Sequence, residues 1–163
     1  VFRNELDLEE MKKIYISESE CDRYLLNDED VLVVEGHGNI QEIGRSAVWT
    51  GKIKKCAHQN HIIKIRLDKS ILNPYFLSYY LNSYGNYGYF NTRSNTTSGL
   101  NTISVNKVRN AECAIPPIEL QNEFSRILKK IDCLKEYQSG VKEHLEKVFE
   151  SSAKRAFRGE LAC

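Results

Sequence analysis

Leu120, Phe124, Ile127, Ile131, Leu134, Gln138, Val141, Leu145 and Val148 fall in an unbroken alternation of four and three residues, and all but Gln138 are apolar. An apolar stripe repeating every 3.5 residues is the seam of a coiled coil. The run opens after Pro116-Pro117 and reaches about Phe157. That predicts one helix of about 40 residues, roughly 60 Å long at the α-helical rise. Gly140 lies inside it and costs only about 1 kcal/mol relative to alanine. The phase carries through from Leu134 and Gln138 to Val141 and Leu145, so a continuous helix is expected rather than a hairpin turning at Ser139-Gly140. Glu143 with Lys147 and Glu150 with Lys154 stand four apart, acidic member first, and support the exposed face. The residues ahead of this rod can cover only one end of it, so the stripe is expected to bury itself along a partner helix.

Upstream the pattern changes to short apolar runs. Val31 to Glu35 predicts a buried strand, followed by the loop Gly36-His37-Gly38-Asn39. Ile43 to Trp49 and His61 to Leu67 predict further strands, the latter alternating Ile63 and Ile65 with Lys64 and Arg66. Asn73-Pro74 predicts a helix N-terminus, with the helix running to about Asn82. Residues 83–101 show no period and read as a long exposed loop, with Tyr84, Tyr87, Tyr89 and Phe90 set among Asn, Ser, Thr and Gly. Thr102 to Val105 and Ala111 to Ile115 predict the last strands. The fold class is therefore α+β. A small, mixed, β-rich domain over 1–115 precedes a long C-terminal coiled-coil helix over 116–163.

Net charge is only +1 over 163 residues, but the charges are segregated. Residues 1–30 carry ten acidic and four basic side chains, residues 31–110 carry three and ten, and the remainder nine of each. A basic middle rich in Asn, Gln, Ser and Thr can hold a phosphate backbone and read base edges. Three segments there are candidate DNA contacts: His37, Asn39, Gln41 and Arg45; then Lys52, Lys54, Lys55, His58 and Gln59; then Asn91, Arg93, Ser94, Asn95, Thr96, Thr97 and Asn101. Arginine suits guanine and Asn or Gln adenine, whereas lysine more often grips phosphate. Cys21, Cys56, Cys113, Cys133 and Cys163 are odd in number and scattered, which fits a reducing cytoplasm and no disulfide framework. No apolar stretch approaches the ~18 residues that cross a bilayer, and Val1 in place of an initiator methionine is expected to mark a fragment or a processed chain.

Catalytic readings find little support. A nuclease needs carboxylates clustered around a metal, and the basic stretch has only Glu35, Glu42 and Asp68. Cys56, His58 and His61 would make an incomplete zinc site, and strand alternation turns His61 away from the other two. Asn73-Pro74-Tyr75-Phe76 touches the Asn-Pro-Pro-aromatic motif of amino-methyltransferases, but lacks its second proline and any upstream glycine-rich cofactor loop. No catalytic residue, metal or cofactor is expected on this chain.

The order of the pieces resembles a known family. Asp30-Val31-Leu32-Val33, Ile43-Gly44-Arg45, Asn60-His61-Ile62-Ile63-Lys64-Ile65-Arg66, Asn73-Pro74-Tyr75-Phe76-Leu77 and Tyr80-Leu81 look like a target recognition domain of a type I restriction-modification specificity subunit. Ala114-Ile115-Pro116-Pro117-Ile118-Glu119-Leu120-Gln121 resembles the opening of that family's spacer helix, except that Leu120 separates Glu119 from Gln121. Ala156-Phe157-Arg158-Gly159-Glu160-Leu161 resembles its end. The resemblance implies a non-catalytic subunit that reads one half of a split target on double-stranded DNA. Modification (methyltransferase) subunits would bind S-adenosylmethionine, and a restriction subunit would complete the complex. One recognition domain with one spacer is half of that plan, so an antiparallel homodimer, or pairing with a second recognition half, is expected. The middle of the helix falls near Gln138 and Gly140, which places Gln138 beside its symmetry mate, where one polar residue in an apolar seam fixes register. Two other readings stand beside this one: a protein-interaction adaptor on a dimerising stalk, and the recognition portion of a fused restriction-methylation enzyme.

Overall fold

The computed structural model describes residues 1–97 and 99–160, with the side chains of 84–87 and 95–97 outside that description. The chain forms two compact units, Val1–Asn122 and Glu123–Cys163, and it is α+β.

In the first unit, α1 (Glu18–Tyr24) starts behind Ser17, whose backbone N–H and hydroxyl both reach Glu20 Oε2, at 3.0 and 2.7 Å. The central strand β1 (Val31–Val34) is buried throughout, as its run of β-branched and apolar residues requires. It pairs antiparallel with β3 (Ser46–Val48) on one side and β4 (Ile62–Ile65) on the other, with Val31 opposite both Val48 and Ile65. The strand's two faces feed two cores. Val31 and Val33 join Ile43, Ile63, Leu77, Leu81, Phe90, Ile103 and Val108. Leu32 and Val34 join Trp49, Cys56 and Ile62, under partly buried Val1, Leu6, Leu8 and Leu26.

Helix α2 (Pro74–Asn82) begins as its sequence predicts: Asn73 Oδ1 accepts from the N–H groups of Tyr75 and Phe76 at 2.9 and 3.2 Å, with proline at the first turn. Residues 83–101, expected as a loop, instead form α3 (Tyr84–Arg93) and the strands β5 (Asn95–Thr97) and β6 (Leu100–Thr102). Two glycines and two asparagines hide this helix from periodicity. Phe90, 1% exposed, anchors it in the first core, edge-on to Tyr89. The strand expected from Thr102 stops there, because Ser104 caps α4 (Val105–Arg109). Residues 111–115 form no strand.

The basic side chains of β4 and its extension serve the fold. Lys64 Nζ donates to the carbonyls of Asp22 and Leu25 at 3.1 and 2.9 Å, a cation at the end of α1, and burial lowers its ammonium below the usual lysine range. Arg66 forks onto Asp30, with Nε to Oδ1 at 2.8 Å and Nη2 to Oδ2 at 2.7 Å, while Asn27 N–H also donates to Oδ2 at 2.7 Å. Asp30 is only 2% exposed. Arg66→Met should therefore cost about 2–4 kcal/mol by leaving that carboxylate without its cation. Asp30→Asn added to Arg66→Met should recover part of the loss. Urea unfolding followed by Trp49, which is buried, checks this; a loss under about 1 kcal/mol for Arg66→Met would contradict it.

The last helix, α5 (Ile118–Phe157), is continuous through Gly140. Its first turn belongs to the first unit, where fully buried Gln121 accepts from Asn73 N–H at 2.8 Å and donates to the carbonyls of Ile71 and Pro116 at 3.0 and 2.7 Å. Along the second unit Glu143 and Lys147 pair at 2.6 Å, whereas Glu150 and Lys154 form no ion pair among the described residues.

Candidate functional site

A second three-stranded sheet, in the order β2-β6-β5, carries the polar side chains of interest; its edge strand β2 (Gly36–His37) is two residues long. Gly36 pairs with Thr102 and His37 with Asn101, while Asn95 and Thr96 pair with Thr102 and Asn101 on the other side. This small sheet brings together two of the three segments expected to contact DNA, residues 36–45 and 91–101. Gly99, at φ +80°, makes the turn between β5 and β6.

The 36–45 loop is braced by its own side chains. Asn39 N–H donates to His37 Nδ1 at 3.0 Å, which leaves Nε2 as the donor of the neutral ring. Asn39 Oδ1 in turn accepts from Gln41 N–H at 3.0 Å, capping a short 3-10 turn over Ile40–Glu42. Asn101 is buried and donates to the carbonyl of Gly38 at 2.9 Å, with a longer contact of 3.4 Å to that of His37. It holds the loop. Arg45 is likewise occupied, with Nη1 on Glu42 at 2.6 Å and its guanidinium 5.4 Å from the Phe2 ring centre. Gln41 and Asn39 remain exposed.

At the far end of α3, Arg93 lies over the Tyr89 ring at 4.0 Å. Its carbonyl accepts from Lys107 Nζ, and Tyr89 Oη donates to the carbonyl of Lys107 at 3.2 Å. Ser94 Oγ donates to the Asn91 carbonyl at 3.0 Å, while Asn91 Oδ1 is buried without a hydrogen bond among the described residues. The side chains of Asn95, Thr96 and Thr97 lie outside the described residues, as does Leu161.

The third expected segment lies against α1. Leu26 N–H donates to Cys56 O at 2.8 Å and His58 N–H to Tyr24 O at 3.1 Å. The His58 ring sits with Nε2 3.3 Å from the Arg23 carbonyl, Nδ1 3.0 Å from that of Gln59, and its centre 5.6 Å from that of Tyr24. Lys52, Lys54, Lys55 and Gln59 are exposed, and none of the three lysines is ion-paired among the described residues. The free cations of the basic stretch are thus fewer than its composition implies: Arg45, Arg66 and Lys69 are ion-paired, and Lys64 and Lys107 rest on carbonyls.

His61, weighed from sequence only as a zinc ligand, arrives beside the small sheet. Glu35 N–H donates to His61 O at 2.8 Å and Ile103 N–H to Glu35 O at 2.9 Å, so one residue ties β4 to β6. Among the described residues no group of three His, Cys, Asp or Glu could hold a metal ion. Burial pushes the Cys56 thiol up, away from a ligand's thiolate form.

The stripe on α5 is uncovered: its eight apolar seam residues are 37% to 66% exposed, and Gln138 is exposed among them. Tyr137 and Phe149 widen it, at 73% and 74%. Among the described residues no helix is long and apolar enough to cross a membrane.

The family model for the type I restriction modification DNA specificity domain matches residues 1–147. The chain is 25% identical over 154 residues, 92% of its length, to the type I restriction enzyme StySPI specificity subunit of Salmonella potsdam. It is 27% identical over 165 aligned positions, 96% of its length, to the EcoKI specificity subunit of Escherichia coli strain K12. It spans about a third of each of those relatives, 33% and 34%. With a match over 147 of 163 residues, this chain belongs to the type I restriction modification DNA specificity domain family.

Proposed function

We propose that this chain is a non-catalytic, sequence-specific DNA-binding half of a type I specificity subunit. It reads one half of a bipartite target on double-stranded DNA and directs modification subunits, which carry S-adenosylmethionine, and a restriction subunit, in the cytoplasm. Residues 1–115 are the recognition domain, and 116–163 the spacer that pairs antiparallel with a second copy or a second recognition half. The observation that carries this is the uncovered four-three stripe on a 40-residue helix in a chain of the specificity family. Such a helix sets the separation of two recognition domains, and hence of two half-sites. Gln138 lies at the two-fold axis and fixes the register.

Within the recognition domain, Asn39, Gln41, Asn91, Arg93, Ser94, Asn95, Thr96 and Thr97 offer groups to base edges and backbone, and His37 braces the loop that presents Asn39 and Gln41. Lys52, Lys54, Lys55 and Gln59 grip phosphate from the neighbouring loop. Arg45, His58 and Asn101 act through the fold, holding the segments that make contact. Selection of duplexes from a random pool, with the modification subunits supplied, tests the whole reading. A bipartite motif is expected, palindromic for the antiparallel homodimer; a single undivided motif, or no preference, would overturn it. Replacing Lys52, Lys54 and Lys55 together by alanine should weaken binding evenly across sequences. The salt dependence of log K should flatten by about 2–3 units of slope, as lost phosphate contacts require, and an unchanged slope would remove this loop from the interface.

A further inference from the structure

Most polar side chains near the small sheet are committed to the fold, but His61 is not. It is exposed, and neither ring nitrogen has a hydrogen-bond or charge partner among the described residues. Its main chain is nevertheless fixed at two points. Glu35 N–H donates to its carbonyl at 2.8 Å, and Ile62 N–H closes a turn onto Gln59 O at 3.1 Å. The ring lies over Gly36: a Cβ at that glycine would stand 3.1 Å from His61 Nδ1 and 3.4 Å from Thr102 Cγ2.

The face on which the ring stands is decided by pairing. Opposed residues of an antiparallel pair share a face, so Gly36 and Thr102 lie on one side of the sheet, and His37 and Asn101 on the other. Asn101 is buried and Thr102 half-buried, so the Gly36–Thr102 side is the outward one. His61 therefore stands over the open face of the sheet that gathers the 36–45 and 91–101 segments, and the missing side chain of Gly36 makes the room.

Resting on the DNA-recognition reading above, we infer that His61 is a specificity-determining residue that reads a base edge in the target half-site, with Gly36 as the positioning residue that seats its ring. A phosphate grip suits long, mobile cations such as Lys52 or Lys54. A short ring on a pinned turn, with one donor and one acceptor nitrogen, suits discrimination between base edges.

The test uses the full chain with its modification subunits and a random-sequence duplex pool, followed by competition among the recovered duplexes. His61→Ala should lower discrimination at one base pair of each half-site by about tenfold, with the salt slope and thermal midpoint unchanged. Gly36→Ala should weaken the same position in the same direction, because its Cβ displaces the ring without straining the backbone. His61→Ala with wild-type preferences at every position overturns the inference while leaving the DNA-recognition reading intact. So does an even loss across sequences with a flatter salt slope, which marks a phosphate contact. A wild-type complex that selects no sequence overturns both.

Discussion

Gly44→Ala should cost the first unit about 3–5 kcal/mol, a large part of the 5–15 kcal/mol that holds an ordinary domain together. Two effects add. Gly44 has φ +77°, where an L side chain costs roughly 1–2 kcal/mol. Its backbone makes a bulge: Gly44 N–H donates to Val34 O at 3.0 Å while Val34 N–H donates to Arg45 O at 2.9 Å, so two residues oppose one. The larger effect is steric. A Cβ there would lie 2.3 Å from Phe90 Cδ2 and 2.7 Å from Cγ, and Phe90 is 1% exposed with nowhere to retreat. Since Phe90 is the anchor of α3, the clash loosens the helix that leads into β5. Urea unfolding followed by Trp49 should show the loss, and Phe90→Leu added to Gly44→Ala should be less damaging than the sum of the single changes. A Gly44→Ala loss below about 1 kcal/mol would mean that the contact is slack.

The same contact shows where sequence stopped being legible. β1, β4, α2 and α5 announce themselves locally, through the apolar run Val31–Val34, the alternation at Ile63–Arg66, the Asn73-Pro74 cap and the four-three stripe. Helix α3 does not, because Gly85 and Gly88 argue against a helix and only Phe90 packing over Gly44, 46 residues earlier in the chain, argues for it. β2 is too short for any period, yet it joins the two polar loops into one sheet. Among the candidate contacts, Arg45 is read from sequence as a DNA contact, and its Glu42 partner and Phe2 neighbour emerge only in the fold. His61 carried a signal too weak to interpret: a polar residue in the turn just ahead of β4, whose neighbour across the fold happens to be glycine.

Charge behaves alike. Counting ten cations in residues 31–110 points to a polyanion, but counting cannot tell a structural cation from a free one. Asp30, Glu29 and Glu42 take three of the ten, two from the acidic N-terminal stretch and one from within the basic segment. Part of the segregation read along the chain is thus neutralised across the fold, and the exposed lysines at 52–55 carry more of the remaining field than their number suggests.

Ile131→Lys combined with Leu145→Lys should turn the proposed dimer into monomers, weakening association at least about a thousandfold through lost apolar burial and buried charge. With the proposed two-fold axis at Gln138, Ile131 and Leu145, seven residues to either side, would face one another across the seam, so each double variant would bring lysines together at both crossings. Sedimentation at several chain concentrations reads this directly; an unchanged assembly would show that the stripe is not the interface. Orientation is separately testable in a Cys133→Ser background, since Cys133 is exposed on α5. Antiparallel pairing predicts that Ile131→Cys chains mixed with Leu145→Cys chains cross-link on mild oxidation, whereas neither does so alone. Parallel pairing in register predicts the reverse. Gln138→Leu should strengthen the seam while loosening its register, because an amide beside its symmetry mate is satisfied only when the two helices meet at that level, and an all-apolar stripe gains nearly as much from neighbouring alignments. If Gln138→Leu kept a single cross-linking pattern at the 131 and 145 positions, register would be set elsewhere along α5, and the spacing of two half-sites would have to be fixed by another contact.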